Sequence, residues 1–300
     1  MKTQEYLEKV LKLQTLDEKS EEIKALRSER DKVENLLRTH FEDVPISIQY
    51  AGSYKKGTMI RESYDLDMTC YFNNGDDSGG ATLEEIFSNV QQALASEYHV
   101  YPKRSALRLQ SKDSENRVDF HIDVIPGRFV DGDKGDVYIF QAEGEKDRLK
   151  TNLEKHVNHI TGSKLIDTIR LVKLWKELNQ LDAKTFIIEL LVIKLLEDTT
   201  DSNGLDVCFE SFLTEVIEKI DNIALEDPAN PSGNDLSGIL SEGVKAGLKS
   251  LAEKILISIE NERWKDIFGE VEEADDEEKK RAINEARQSN SVPINPWCVL

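Results

Sequence analysis

The run Asp65-Leu66-Asp67-Met68 alternates carboxylates with apolar side chains, and a strand is the local structure that fits this alternation. In a strand, side chains point to opposite faces in turn, so Asp65 and Asp67 share one face while Leu66 and Met68 share the other. A later run, Arg117-Val118-Asp119-Phe120-His121-Ile122-Asp123-Val124-Ile125-Pro126, repeats the logic and sets Asp119, His121 and Asp123 on one face. The apolar flanks Leu66, Met68, Ile122 and Val124 argue against a fully solvated face. Acids clustered on a half-buried face are costly unless something neutralises them. Carboxylates from neighbouring strands make a cage of hard oxygen ligands of the kind Mg²⁺ prefers. Two such ions about 3.5–4 Å apart activate the attacking oxygen and stabilise the leaving one in phosphoryl transfer.

Just upstream, Gly52-Ser53 and Gly57 predict a strand-to-helix turn over 51–60. Backbone N–H groups and a serine hydroxyl there suit a triphosphate, and Lys55 and Lys56 add positive charge beside it. Each piece is common alone. The order of a Gly-Ser turn, an Asp-x-Asp strand and an apolar-flanked Asp on a later strand is much more specific.

The remaining pattern divides near residue 150. Before it, residues 4–40 read as one long helix, followed by strands at 46–50, 65–72, 99–102, 106–110 and 117–125 and a helix at 83–98. Pro126-Gly127 is expected to end the last strand. After it nearly everything is helical: 163–178 with Ser163 as its cap, the strongly apolar 184–197, a Pro-rich turn at 226–234, and helices over 236–268. The expected fold is therefore α+β, a mixed sheet preceded by a long helix and followed by a helical domain. The expected divisions are 1–150, 151–270 and a tail, 271–300, that is weakly ordered or partner-bound.

The net charge of −19 repels polyanions, so a small anionic ligand in one pocket is favoured over long duplex nucleic acid. Cys70, Cys208 and Cys298 form no close pair, which suits a reducing compartment. The N-terminus has no apolar signal core, and the longest apolar stretch, Phe186 to Leu196, is too short and too charged to span a bilayer. A cytoplasmic protein without membrane contact is expected.

These motifs carry a family resemblance. Gly52-Ser53-Tyr54-Lys55-Lys56-Gly57-Thr58 followed by Asp65-Leu66-Asp67 resembles the signature of the CD-NTases, bacterial relatives of cyclic GMP-AMP synthase and oligoadenylate synthetase. Asp123-Val124-Ile125-Pro126 resembles their third-carboxylate strand, so Asp123 is preferred and Asp119 is the fallback. Ile169-Arg170-Leu171-Val172-Lys173-Leu174-Trp175 resembles the helix whose basic residues hold the triphosphate, and Lys184-Thr185-Phe186-Ile187-Ile188-Glu189-Leu190-Leu191 the helix that begins at the donor nucleotide. Asp227-Pro228-Ala229-Asn230-Pro231 resembles the family's Asp-Pro turn, and Trp264-Lys265-Asp266-Ile267-Phe268-Gly269 its closing helix. The order of motifs is nearest to clade C, whose members make cyclic trinucleotides and are associated with HORMA-domain activators.

The resemblance implies a polymerase-β-type nucleotidyltransferase fold. It implies a metal-dependent synthase that joins ATP, or ATP with other nucleoside triphosphates, into a cyclic di- or trinucleotide such as cyclic triadenylate. Such a second messenger serves CBASS-type antiphage defence. Asp65, Asp67 and Asp123 would bind two Mg²⁺ ions, for which Mn²⁺ can substitute. Gly52, Ser53, Tyr54, Arg170, Lys173, Thr185, Phe186 and Asp227 would bind nucleotide. The rival readings are linear oligoadenylate synthesis or another nucleotidyl transfer, and an inactive nucleotide-binding scaffold.

Each assignment has a plainer counterpart. Arg170 and Lys173 share a helix face and fit an ordinary solvated basic surface as well as a phosphate clamp. Thr185 fits a helix N-cap. Phe186 and Tyr54 fit core positions as well as base stacking. Asp227 fits a loop-shaping turn residue, and His156 with His159 a surface pair. Glu189, inside an apolar helix, needs a base, with Arg170 or Lys173 as candidates.

Overall fold

The computed structural model describes residues 2–112, 120–143, 146–234 and 236–271. Two helices open the chain, α1 (Thr3–Gln14) and α2 (Glu21–His40), where the periodicity predicted one. The break is chemical. The Thr15 hydroxyl bonds back to the Leu11 carbonyl, Asp17 accepts from the Lys19 N–H, and Ser20 caps α2 through the Ile23 N–H. Short polar side chains of this kind offer the backbone partners that compete with a continuous helix.

Strand β1 (Ile46–Tyr50) leads through the one-turn helix α3 (Gly52–Lys56) into β2 (Leu66–Phe72). Helix α4 (Leu83–Leu94) follows, started by a capping box between Thr82 and Glu85. Then come β3 (Tyr98–Pro102), β4 (Leu107–Ser111), β5 (Ile122–Phe129), β6 (Val137–Phe140) and β7 (Arg148–Thr151). The sheet runs β1-β2-β5-β4-β3, with β6 on β5 and β7 on β6. The β2–β5 pair is parallel and the other pairs are antiparallel.

Strand β5 does not stop at Pro126-Gly127 as expected. One edge pairs with β2 throughout, while the other passes from β4 (Ile122–Val124) to β6 (Gly127–Phe129). Pro126 falls at that changeover, where its missing N–H costs no ladder bond on that edge. Gly127 is needed there because a Cβ would meet Val137 Cγ1 at 2.8 Å.

Leu66, Met68, Cys70 and Phe72 of β2, with Ile122 and Val124 of β5, pack in one core with Ile23, Leu26, Val33 and Leu37 of α2 and Ile86, Val90 and Leu94 of α4. By strand alternation the carboxylates of both strands fall on the opposite face. That polar face is where the site is built.

The helices after β7 are α5 (Leu153–Gly162), α6 (Ile166–Leu178), α7 (Thr185–Leu195), α8 (Leu205–Lys219), α9 (Glu242–Glu260) and the short α10 (Lys265–Phe268). Ser163 ends α5 rather than starting α6, and its hydroxyl bonds the Ile160 carbonyl. The first N–H groups of α6, on Asp167 and Thr168, go to the distant Asp201 carboxylate at 2.8 and 3.0 Å. Buried Trp175 meets Phe209 and Phe212 of α8 edge-on, and Phe209 in turn meets Trp264 and Phe268. One compact unit extends to Phe268. Among the described residues no helix is long and apolar enough to cross a membrane. The expected tail lies outside the described residues beyond Val271.

Candidate active site

Parallel pairing sets Asp67 directly beside Asp123 in the β2–β5 register, and Asp65 immediately precedes β2. All three side chains are partly exposed. The Asp65 carboxylate accepts the His121 backbone N–H at 3.2 Å, with the His121 ring Nδ1 3.4 Å away. Burial pushes the Asp67 carboxyl up to about 6, and the charges of Asp65 and then Asp123 push in the same direction. Lys56 and Arg108 oppose this. An acid that burial and two neighbouring acids push toward protonation marks a face that calls for a cation. Asp119 lies outside the described residues.

The Gly52 turn is built against this face. Gly52 has φ +57°, and the Ala51 N–H donates to the Asp67 carbonyl at 2.8 Å. Gly57 closes α3 in the left-handed region, and the Thr58 N–H returns to the Ser53 carbonyl. Gly52 and Ser53 thus stand at the first turn of α3 beside the carboxylates. Tyr54 is half-buried, its ring 4.5 Å from that of Tyr50.

Lys173 is turned into the protein interior. It is 1% exposed, and its ammonium donates to the Thr58 carbonyl at 2.6 Å and lies 3.9 Å from Glu189. Burial pushes its pKa down to about 8 against the opposing pull of Glu189. Glu189 is fully buried, pairs with the Lys56 ammonium and accepts the Thr58 hydroxyl at 2.5 Å. Lys173 and Lys56 together neutralise an acid that would otherwise be costly. Arg170 turns to α1, donating to the Thr15 hydroxyl at 2.7 Å and the Leu11 carbonyl at 3.3 Å, and it pairs with Asp167. In this structure both basic residues bond to groups within the protein, Lys173 to Thr58 and Arg170 to α1 and Asp167. Lys173 and Lys56, rather than Arg170, take the role of base to Glu189.

Thr185 is the first residue of α7, with Lys184 rather than Thr185 at the N-cap. Phe186 is half-buried, with the His156 ring 5.0 Å away and Lys56 Nζ 5.5 Å from its centroid. His156 Nε2 donates to Asp227 at 2.7 Å, so His156 is no idle surface partner of His159. Asp227 also accepts from the Ala229 N–H and the Asn234 amide at 2.8 and 2.6 Å. Burial works against its ionisation, but the bonds from His156 and Asn234 outweigh it and hold the carboxyl below its ordinary range. Asp227 thereby shapes its own loop and, through His156, backs Phe186.

Arg108 is absent from the sequence reading. It faces Asp123 across the β4–β5 ladder and donates to both oxygens, at 2.9 and 2.7 Å. The alternation of 106–110 marks it as a polar-face residue of a strand, but its partner depends on a register that neither strand reveals alone.

Among the described residues no three His, Cys, Asp or Glu side chains are gathered closely enough to hold a metal ion as they stand. The chemistry of the donors nevertheless suits a hard divalent cation: three carboxylates on one face, one of them pushed toward protonation by burial and then by the other two.

A mixed sheet with this polar face, a Gly turn against its paired acids and helices on the far side is the polymerase-β-type nucleotidyltransferase fold. No family model matches the chain. It is 24% identical to the Escherichia coli (strain MS 115-1) cyclic AMP-AMP-AMP synthase over 249 residues, which cover 69% of this chain and 75% of that one. The solved E. coli MS115-1 CdnC:HORMA-deltaN complex matches with TM-score 0.66 and 18% identity, covering 89% of this chain and 96% of that one. The Bradyrhizobium diazoefficiens CD-NTase CdnG in complex with GTP matches with TM-score 0.67 and 12% identity, covering 95% and 97%. The chain shares the fold of these CD-NTase structures.

Proposed function

We propose that this chain joins nucleoside triphosphates, ATP among them, into a cyclic di- or trinucleotide second messenger with release of pyrophosphate. The observation that carries this reading is the face on which Asp65, Asp67 and Asp123 meet beside Gly52, with Asp67 pushed up to about 6 by burial and by the other two acids. The cyclic AMP-AMP-AMP synthase likeness supports the cyclic product, and structures of relatives with ATP and GTP support the substrates. Residues 1–150 then act as the catalytic core and 151–270 as the half that closes on nucleotide.

Asp65, Asp67 and Asp123 would hold Mg²⁺, which would supply positive charge for the attacking and leaving oxygens. Asp123 also accepts the proton of the attacking ribose hydroxyl. Gly52 and Ser53 offer backbone N–H groups and a hydroxyl to the departing phosphates. Phe186, backed by His156 and Asp227, offers an aromatic face to a base. Lys173 and Lys56 act at one remove, fixing Thr58 and Glu189 and so the turn that follows α3. A HORMA-domain activator is proposed as partner, because the CdnC relative was solved in complex with one. The setting proposed is a cytoplasmic antiphage system of the CBASS type.

The test is incubation of the full chain with Mg²⁺ or Mn²⁺ and each labelled nucleoside triphosphate, with and without a HORMA-domain protein, followed by phosphatase. A phosphatase-resistant product, lost in Asp65→Asn, is expected. Only phosphatase-sensitive oligomers would establish a linear synthase instead. No product under any combination would leave the scaffold reading.

A further inference from the structure

Asp123 is the proposed metal ligand whose two oxygens are both already taken. The antiparallel β4–β5 register sets Arg108 directly opposite it. The guanidinium meets the carboxylate as a fork, Nε to one oxygen at 2.9 Å and Nη2 to the other at 2.7 Å. A bidentate pair of this kind is among the stronger side-chain contacts available, and it fixes the orientation of the carboxylate as well as its charge. The same guanidinium feels the charges of Asp65 and Asp67, so it serves the whole acidic face. It therefore supplies, from within the chain, part of the positive charge that a bound cation would bring.

We propose that Arg108 is a positioning residue that acts as a latch on the third carboxylate: it holds Asp123 while the acidic face is empty and sets the divalent-cation concentration at which that face loads. This rests on the reading of Asp65, Asp67 and Asp123 as metal ligands.

Two physical arguments fix the direction. A cation that takes an Asp123 oxygen must share it with, or remove, an N–H donor already there. A fixed positive charge beside a site for a dication also repels it, and at a partly exposed site this repulsion is not fully screened. Arg108 and Asp123 are 29% and 17% exposed, so the guanidinium has solvent to swing into when it lets go. The latch does not open by deprotonation, because an arginine stays charged at every physiological pH. It opens by competition for Asp123.

The experiment is a Mn²⁺ titration of the metal-stripped full chain, followed by the electron-spin-resonance signal of free Mn²⁺ and by calorimetry, with no nucleotide present. Wild type, Arg108→Gln, Arg108→Lys and Asp67→Asn are compared, each first checked for folding by circular dichroism. Arg108→Gln removes the charge and is expected to bind Mn²⁺ roughly tenfold more tightly. Arg108→Lys keeps the charge but loses the fork, and is expected to gain about threefold, which carries the test if the glutamine variant does not fold. In a turnover assay the half-saturating Mn²⁺ concentration should fall in the same order. Affinity unchanged or weakened in the folded variants would overturn the latch, and would make Arg108 an aid to metal binding or a purely structural residue. A purely structural role would lower the melting temperature without moving the isotherm. Equal binding by wild type and Asp67→Asn would overturn the metal assignment itself, and the latch with it.

Discussion

The carboxylate of Asp67 occupies the space that a side chain on residue 52 would need. A Cβ built on Gly52 would lie 1.6 Å from Asp67 Oδ2, and Gly52 has φ +57°, which other residues adopt only with strain. Two constraints thus meet at one glycine, one of backbone conformation and one of space. Gly52→Ala is expected to displace Asp67 and cut nucleotidyl transfer by at least about 100-fold, the usual cost of moving a reacting group by about an ångström. The measurement is steady-state turnover beside a thermal melt. Full activity in the folded variant would show that Asp67 is free to move.

Asp67 should make the metal-free protein sensitive to pH. Its folded pKa, about 6, lies above its ordinary value of 3.8. Between those values the folded chain keeps a proton that the unfolded chain has lost, so stability falls as pH rises through this window. Above about pH 6 the full penalty is present, of order 2–3 kcal/mol. Asp67→Asn removes it and is expected to raise the melting temperature at pH 7.5, to flatten the pH 4–6 dependence and to abolish transfer. Melting curves in a chelator across pH 4–8 check this; a variant less stable than wild type at pH 7.5 would refute it.

Lys173 should matter to folding first. It is buried against the Thr58 carbonyl and Glu189. Lys173→Met leaves Glu189 with Lys56 alone and is expected to destabilise by about 3–5 kcal/mol. Glu189→Gln in the same chain should recover part of the loss. Urea denaturation of the single and double variants measures this. A Lys173→Met protein of normal stability but raised triphosphate KM would restore the clamp expected from the family resemblance.

Phe186 offers its ring on a support of His156 and Asp227. Phe186→Leu is expected to raise KM for nucleotide about tenfold or more, from lost stacking worth about 1–3 kcal/mol, with kcat changed less. Phe186→Tyr should stay near wild type. Equal KM values in all three proteins would make Phe186 a core residue only.

Local alternation and spacing made the acids of β2 and β5, the Gly52 turn and the apolar helices α4 and α7 legible. These depend on a strand period of two or on an amphipathic face, and both are written in contiguous residues. What escaped was set by distant partners. The break after α1 comes from polar side chains whose choice between helix and turn is decided by packing. Strand β5 outruns Pro126 because the neighbour on one edge changes there. The four-residue strands β6 and β7 are too short to show a period. Arg108 illustrates the same limit at the site, since it reads as an ordinary base until cross-strand register discloses the acid it serves.

The parallel seam between β2 and β5 has a consequence for how this chain tolerates change. The match of Asp67 to Asp123 depends on strand register, whereas the chain between them runs through α4, β3 and β4. Lengthening a surface connection within that excursion leaves the seam untouched. Deleting one residue inside either strand throws every following side chain to the other face and turns an acid into the α2–α4 core. Insertion scanning should therefore divide the chain sharply, with permissive loops beside strands in which a one-residue insertion or deletion abolishes the proposed activity.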